Sequence, residues 1–168
     1  KDGTLPHDNP AFKNNPEWLP EIYSIGVRNP QGIAISPYNG EVLFSQHRPR
    51  GGDNIAKVLS GGNYGWNEVA WGGTEYSGRK IGDTPFKKKF VKPIKVWVPS
   101  IAVGNIGFYN GKAFKEWNGD LLVTATKTEM LLRLDYFDGN IVGEEIILQG
   151  EIGRIRDFEI DNKGEIYI

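Results

Sequence analysis

The sequence predicts an all-β protein of propeller type, and three observations carry that reading. Short apolar runs recur along all 168 residues with turn signals between them, roughly every 8–12 residues. No segment sustains apolar residues at i, i+3, i+4 and i+7 over three turns, so no helix is predicted. One hairpin unit also repeats. Gly-Ile-Ala-Ile-Ser-Pro-Tyr-Asn-Gly-Glu-Val-Leu-Phe at 32–44 has the same form as Arg-Asp-Phe-Glu-Ile-Asp-Asn-Lys-Gly-Glu-Ile-Tyr-Ile at 156–168, and 106–123 is a longer variant. Each copy is an apolar strand, a polar turn ending in Gly and a second apolar strand. Recurrence at blade-scale spacing separates a propeller from a sandwich.

Taken in order, residues 1–20 contain four prolines, which fix φ and remove donors, and they read as a surface loop. The first strand candidate is 21–27. Runs at 32–36 and 41–45 form a hairpin around Pro-Tyr-Asn-Gly, because Asn-Gly between apolar runs is a strong hairpin signal. A strand at 54–59 follows, then a Gly-Gly turn and 63–66. Residues 71–93 form a long Gly-, Lys- and Pro-rich insertion, a loop length that is usually functional or mobile. Strands are predicted again at 95–98, 106–109, 121–126, 130–136 and 144–148, with a last hairpin at 155–160 and 165–168.

Composition narrows the function classes. Twenty basic and 21 acidic side chains give a net charge of −1, which points away from nucleic acid and anionic membrane surfaces. The one basic run, Lys87-Lys88-Lys89, reads as a solvated loop. With no cysteine there are no disulfides and no thiolate metal sites. No stretch approaches the ~18 apolar residues of a membrane span, and no apolar signal-peptide region opens the chain.

The densest functional signal lies between residues 26 and 66. It reads Gly-Val-Arg-Asn-Pro-Gln-Gly-Ile-Ala at 26–34, Ser-Gln-His-Arg-Pro-Arg-Gly-Gly-Asp at 45–53 and Gly-Gly-Asn-Tyr-Gly-Trp at 61–66. These three loops concentrate cations, amides and glycines between short strands, where binding sites usually sit. Arg28, Asn29, Gln31, His47, Arg48, Arg50 and Asp53 are their polar side chains.

These motifs resemble the soluble quinoprotein sugar dehydrogenases, the PQQ-dependent glucose, aldose-sugar and sorbosone dehydrogenases. The resemblance extends to Asp-Gly-Thr-Leu-Pro-His-Asp-Asn-Pro at 2–10 and to Gly-Arg-Ile-Arg-Asp at 153–157. It implies a six-bladed β-propeller and a PQQ cofactor with Ca²⁺. On the matching positions, Arg28, Asn29, Gln31, Lys127, Arg154 and Arg156 bind PQQ, and the backbone carbonyls of Arg48 and Pro49 hold the cation. The chemistry suits those residues. Guanidinium and ammonium groups match a tricarboxylate, and backbone oxygens suit Ca²⁺. Residues two apart on extended backbone share a face, so Arg154 and Arg156 can point together.

The sequence also departs from the family pattern. Val27 stands where the family often has His, Gln46 where it has Glu, Arg48 where it has Gly, and Asn54 where it has a second acid after Asp53. Val103-Gly104-Asn105 replaces a Pro-Ser-Gly segment. Arg48 would be strained if its φ were positive. Tyr64, Trp66 and Trp71 read as blade-packing aromatics, and His47 is the one titrating candidate in the site.

At ~45 residues per blade, 168 residues fill three to four blades, an incomplete ring read as a single unit over 1–168 and as about the second half of a longer polypeptide. The family's catalytic base, a His, is expected upstream, so no catalytic residue is assigned here. The resemblance further implies an aldose substrate, an external electron acceptor and a periplasmic or secreted location. Open sheet edges and blade faces favour self-association as a homodimer. The alternative reading is a non-catalytic propeller that binds carbohydrate or protein.

Overall fold

The computed structural model describes residues 3–168; Asp2 of the 2–10 motif lies outside the described residues. Two four-stranded antiparallel sheets and one two-stranded hairpin make up the structure. The first sheet holds β1 (Pro30–Ile35), β2 (Val42–Gln46), β3 (Asp53–Lys57) and β4 (Lys95–Trp97) in that order. The second holds β5 (Val103–Phe108), β6 (Leu121–Ala125), β7 (Met130–Phe137) and β8 (Asn140–Gln149), again in chain order. β9 (Glu159–Ile160) and β10 (Ile166–Tyr167) pair as the closing hairpin. The helical turns among the described residues are two 3₁₀ turns, Pro10–Phe12 and Lys115–Trp117.

Each sheet is an up-and-down blade, and period-two alternation explains how they stack. In β2, Leu43 points to one face and Phe44 to the other; in β3, Ile55 and Ala56 divide the same way. Ala34, Leu43, Ile55 and Trp97 of the first blade pack against Ile106, Leu121, Val123 and Leu134 of the second, forming the main core. On the second blade's far face Leu122 joins Tyr109 and Phe158, which bring the closing hairpin against it. The first strands of the blades run side by side. A Cβ on Gly32 would lie 2.7 Å from the Ile106 nitrogen and 2.8 Å from Asn105 Cα, so glycine sets the inter-blade distance there.

Three expectations change. The 21–27 segment forms no regular strand: Ile25 makes a parallel bridge to Asn63, and the Tyr23 and Gly26 carbonyls accept from the Gly61 and Trp66 N–H groups, while Gly26 turns at φ +73° and Pro20 precedes the run. Of 155–160, only Glu159–Ile160 is strand. The sheets number two and a hairpin, because residues 58–94 are spent on a connection, not on a further blade. That connection climbs back along the first sheet, so that Ala70 and Gly73 lie against Gly51 and Gly52. On the opposite face of β1, Ile33 and Ile35 are each 67% exposed, the open blade face expected of an incomplete ring.

Candidate functional site

The antiparallel order puts the predicted residues at one end of the sheets. β1 begins there after Arg28 and Asn29, β2 ends there in Gln46–Pro49, and β3 begins there at Asp53. β4 leaves there through Pro99 and Ser100, β5 enters, and β6 leaves through Thr126 and Lys127. β8 ends at the same level, so Arg154 and Arg156 follow on that side before β9.

Asp53 organises this end. Fully buried, its carboxylate accepts from the Arg48 N–H (2.8 Å), the Ser100 hydroxyl (2.7 Å), the Ala102 N–H (2.7 Å) and the Val103 N–H (3.2 Å). It thereby ties the β2–β3 loop to the crossover between the blades. Four donors engage both of its oxygens, which makes it an anchor and not a free ligand. His47 is fixed by the same crossover: Nε2 donates to the Val103 carbonyl at 2.6 Å, and its N–H donates to the Asn29 carbonyl at 2.9 Å. Arg28 spans the neighbouring loops, with Nη1 donating to the His47 carbonyl (3.3 Å) and its N–H to Gln46 Oε1 (3.1 Å).

Beside Asp53 and His47 lies a cavity of about 350 Å³, lined by His47, Arg48, Pro49, Arg50, Tyr76 and Lys127 among others; Arg28 and Asn29 lie outside its lining. Lys127 Nζ donates to the Ser100 carbonyl at 3.3 Å. Arg50 and Lys127 bring cationic side chains to the lining, and its acid, Asp53, is already engaged. The site therefore suits an anionic ligand. Tyr76 comes from the long insertion, which gives that segment a place in the site.

Arg48 resolves differently from expectation. Its φ is not positive, so the backbone is unstrained. The side chain turns inward and is 1% exposed, with Nη2 donating to the Tyr64 carbonyl at 3.1 Å while Nε and Nη1 have no partner among the described residues. Burial, helped by the Arg28 charge and opposed by Asp53, holds the guanidinium down to about 10. The carbonyls of Arg48 and Pro49 accept no hydrogen bond among the described residues, and both residues are buried. Two uncommitted backbone oxygens beside a polar cavity fit a hard divalent cation. No group of three His, Asp or Glu side chains that could hold a metal occurs among the described residues.

The other candidates take separate places. Gln31 is exposed and donates to Asn29 Oδ1 (2.9 Å); it lines an apolar depression with Val27, Ile33 and Phe44, outside the Lys127 cavity. Arg154 and Arg156 are exposed with the buried Ile155 between them, on a segment that is not strand. Their guanidinium groups have no partner among the described residues. The Arg156 carbonyl accepts from Asn105 N–H (3.3 Å) and Thr124 Oγ1 (3.0 Å), which places the pair beside the start of β5 and outside the cavity lining. Tyr64 is core, as expected, whereas Trp66 is half-buried with the guanidinium carbons of Arg28 and Arg48 each 5.2 Å from its ring. Arg50 and Tyr76 were missed as site residues. Arg50 could have been found from its position two residues after Arg48 in the same motif; Tyr76 carries no local signal.

The family described as glucose/sorbosone dehydrogenase matches residues 1–168. The chain belongs to that family. An Escherichia coli (strain K12) relative, the aldose sugar dehydrogenase YliI, is 35% identical over 99% of this chain and 45% of its own length. Quinoprotein glucose dehydrogenase B of Acinetobacter calcoaceticus is 46% identical over 69 residues, 41% of this chain and 14% of its own. A solved structure of the soluble aldose sugar dehydrogenase from Escherichia coli in the apo-form superposes with TM-score 0.90 at 34% identity, covering 98% of this chain and 48% of that one. The PQQ-bound form of aldose sugar dehydrogenase from Streptomyces coelicolor shares the fold at TM-score 0.68 and 23% identity, over 94% and 40%. This member of the family thus spans about half the length of the relatives it matches. No helix among the described residues is long and apolar enough to cross a membrane.

Proposed function

We propose that this chain forms part of the cofactor site of a PQQ- and Ca²⁺-dependent aldose dehydrogenase. The observation that carries the reading is the cation-lined cavity at the blade ends, with two uncommitted backbone carbonyls in its wall. Support also comes from the kinship with a quinoprotein and from a PQQ-bound protein of the same fold.

In this reading Lys127 and Arg28, with Asn29 beside it, hold carboxylates of the cofactor, and the Arg48 and Pro49 carbonyls contribute to the cation. Arg154 and Arg156, without partners among the described residues, close on the ligand from the segment before β9, and Gln31 borders the site through Asn29. When bound, PQQ with its cation would supply a hydride acceptor and a Lewis acid for oxidising an aldose at the anomeric carbon to a lactone, with the hydroxyl proton going to a base and the electrons to an external acceptor. His47 Nε2 is committed to the Val103 carbonyl, so its contribution is to hold the β2–β3 loop. No residue of this chain is assigned as the base that removes the hydroxyl proton. A periplasmic or secreted location follows by kinship, and a homodimer fits the open blade face.

A propeller that binds sugar or protein without turnover is the second reading. It is favoured by the Arg48 guanidinium, a buried cation on the residue whose carbonyl is offered to the metal. Dye reduction by the PQQ-reconstituted full-length protein, which carries the upstream half as well, with a panel of aldoses separates the two. Aldose-dependent turnover that falls in Lys127→Ala supports the dehydrogenase; PQQ-independent sugar binding with no turnover supports the module.

A further inference from the structure

At the opposite end of the blades lies a second cavity, of about 690 Å³, between the β1–β2 turn, the β5–β6 connection and the β7–β8 turn. The eight residues of β7 separate the two ends by roughly 25 Å. Its lining is Tyr38, Asn39, Asn118, Tyr136, Phe137 and Asp138, with Gly139. We infer that this groove binds a neutral saccharide at a site separate from the candidate cofactor site.

Two aromatic rings supply the apolar part. Tyr38 is 67% exposed yet held in place: its hydroxyl donates to the Asn118 carbonyl at 2.8 Å, and its ring lies so close to Gly119 that a Cβ there would meet it. Phe137 is 73% exposed at the end of β7. The fixed Tyr38 ring suits the C–H face of a pyranose, whose apolar area is buried there without ordering a mobile side chain, and Phe137 adds a second exposed ring. Tyr136, beneath them, is fixed by its hydroxyl donating to Glu41 at 2.6 Å.

The polar groups point to hydroxyls. Asn39 Oδ1 accepts from the Glu41 N–H (3.1 Å) and Asn118 Oδ1 from the Gly111 N–H (2.7 Å). Each amide is thereby oriented with its NH₂ unpartnered among the described residues. The Asp138 carboxylate likewise has no partner among them and provides an acceptor. Lys57, the adjacent cation, is engaged by Glu41 at 2.6 Å, so no free cation is left to select an anion. Oriented donors, a free acceptor and two aromatic faces in one groove are the chemistry of an uncharged polyol ring, and the volume lies in the range of ligand sites.

The test is calorimetric titration of maltose into the wild-type protein and three variants. Phe137→Ala removes an exposed ring, and Asn39→Asp keeps the turn acceptor while deleting the donors; both leave the core untouched. Lys127→Ala alters the other end. Maltose binding weakened about fivefold or more by Phe137→Ala and by Asn39→Asp, and unmoved by Lys127→Ala, is the expected result. No binding to the wild type, binding indifferent to Phe137→Ala and Asn39→Asp, or binding lost in Lys127→Ala would overturn it. Since the readout is binding and not turnover, the dehydrogenase reading can fail without affecting this one.

Discussion

The Asp53 carboxylate reaches from β3 to the backbone N–H of Ala102 at 2.7 Å, joining the first blade to the start of the second. Asp53→Ala leaves the buried N–H groups of Arg48 and Val103, the half-buried N–H of Ala102 and the Ser100 hydroxyl without their acceptor. We expect a loss on the order of 3 kcal/mol or more, read from urea unfolding, because buried donors stripped of partners carry their full desolvation cost. Loss of cofactor binding should accompany it, since the same carboxylate positions the loop that carries Arg48 and Pro49.

Inter-blade spacing rests on a missing side chain. Gly32→Ala would place a Cβ 2.7 Å from the Ile106 nitrogen, which is backbone and cannot move aside cheaply. A destabilisation of about 1–3 kcal/mol is expected from such overpacking. Thermal unfolding of Gly32→Ala beside the wild type checks it.

Arg48 makes the opposite prediction. Its charge is buried with one hydrogen bond and two unpartnered donors, so Arg48→Met removes a desolvation penalty along with the contact to the Tyr64 carbonyl. Stability should stay within about 1 kcal/mol of wild type or rise, as when buried ions give way to apolar groups of like volume. A loss several times larger in denaturant unfolding would mean that the guanidinium has a partner the structure does not show.

Most of the architecture was legible because its signals are local. Asn39-Gly40 dictates the hairpin, and the alternation of Leu43 with Phe44 gives its second strand, β2, an apolar side chain for each face, which is the requirement of a stacked blade. The first strand candidate failed because periodicity over 21–27 says nothing about the positive φ of Gly26, which interrupts the extended backbone there. The candidates at 28, 48–49 and 127 came from motif order; Arg48, Pro49 and Lys127 line one cavity through an antiparallel topology that no window of sequence contains, and Arg28 lies outside that lining. Tyr76 and the four-donor role of Asp53 are products of the tertiary fold alone. The inward turn of Arg48 depends on space beside Tyr64 and Trp66, which sequence does not report.

A pH dependence follows from Glu41. Hydrogen bonds from Lys57 (2.6 Å) and Tyr136 (2.6 Å) hold its carboxyl below the usual carboxylate range. A depressed folded-state value stabilises the protein above the unfolded carboxylate range, and the gain is lost as pH falls through it. The half-open pair is worth under about 1 kcal/mol after screening. Glu41→Gln should therefore flatten the acid limb of stability between about pH 5 and 3 and leave its slope near neutral pH unchanged. Denaturation midpoints measured across that window give the comparison.

The central claim is that the cation-lined blade end holds a quinone carboxylate with the help of a divalent cation. Absorbance titration of PQQ into the protein, with Ca²⁺ and again with EDTA, for wild type, Lys127→Ala and Arg156→Ala, tests it most directly. The account predicts calcium-dependent binding, weakened about 10- to 100-fold by the loss of one charged hydrogen-bond donor in Lys127→Ala, and a weaker but measurable loss in Arg156→Ala with unfolding unchanged. PQQ binding indifferent to EDTA and to Lys127→Ala, or no binding at all, would contradict it.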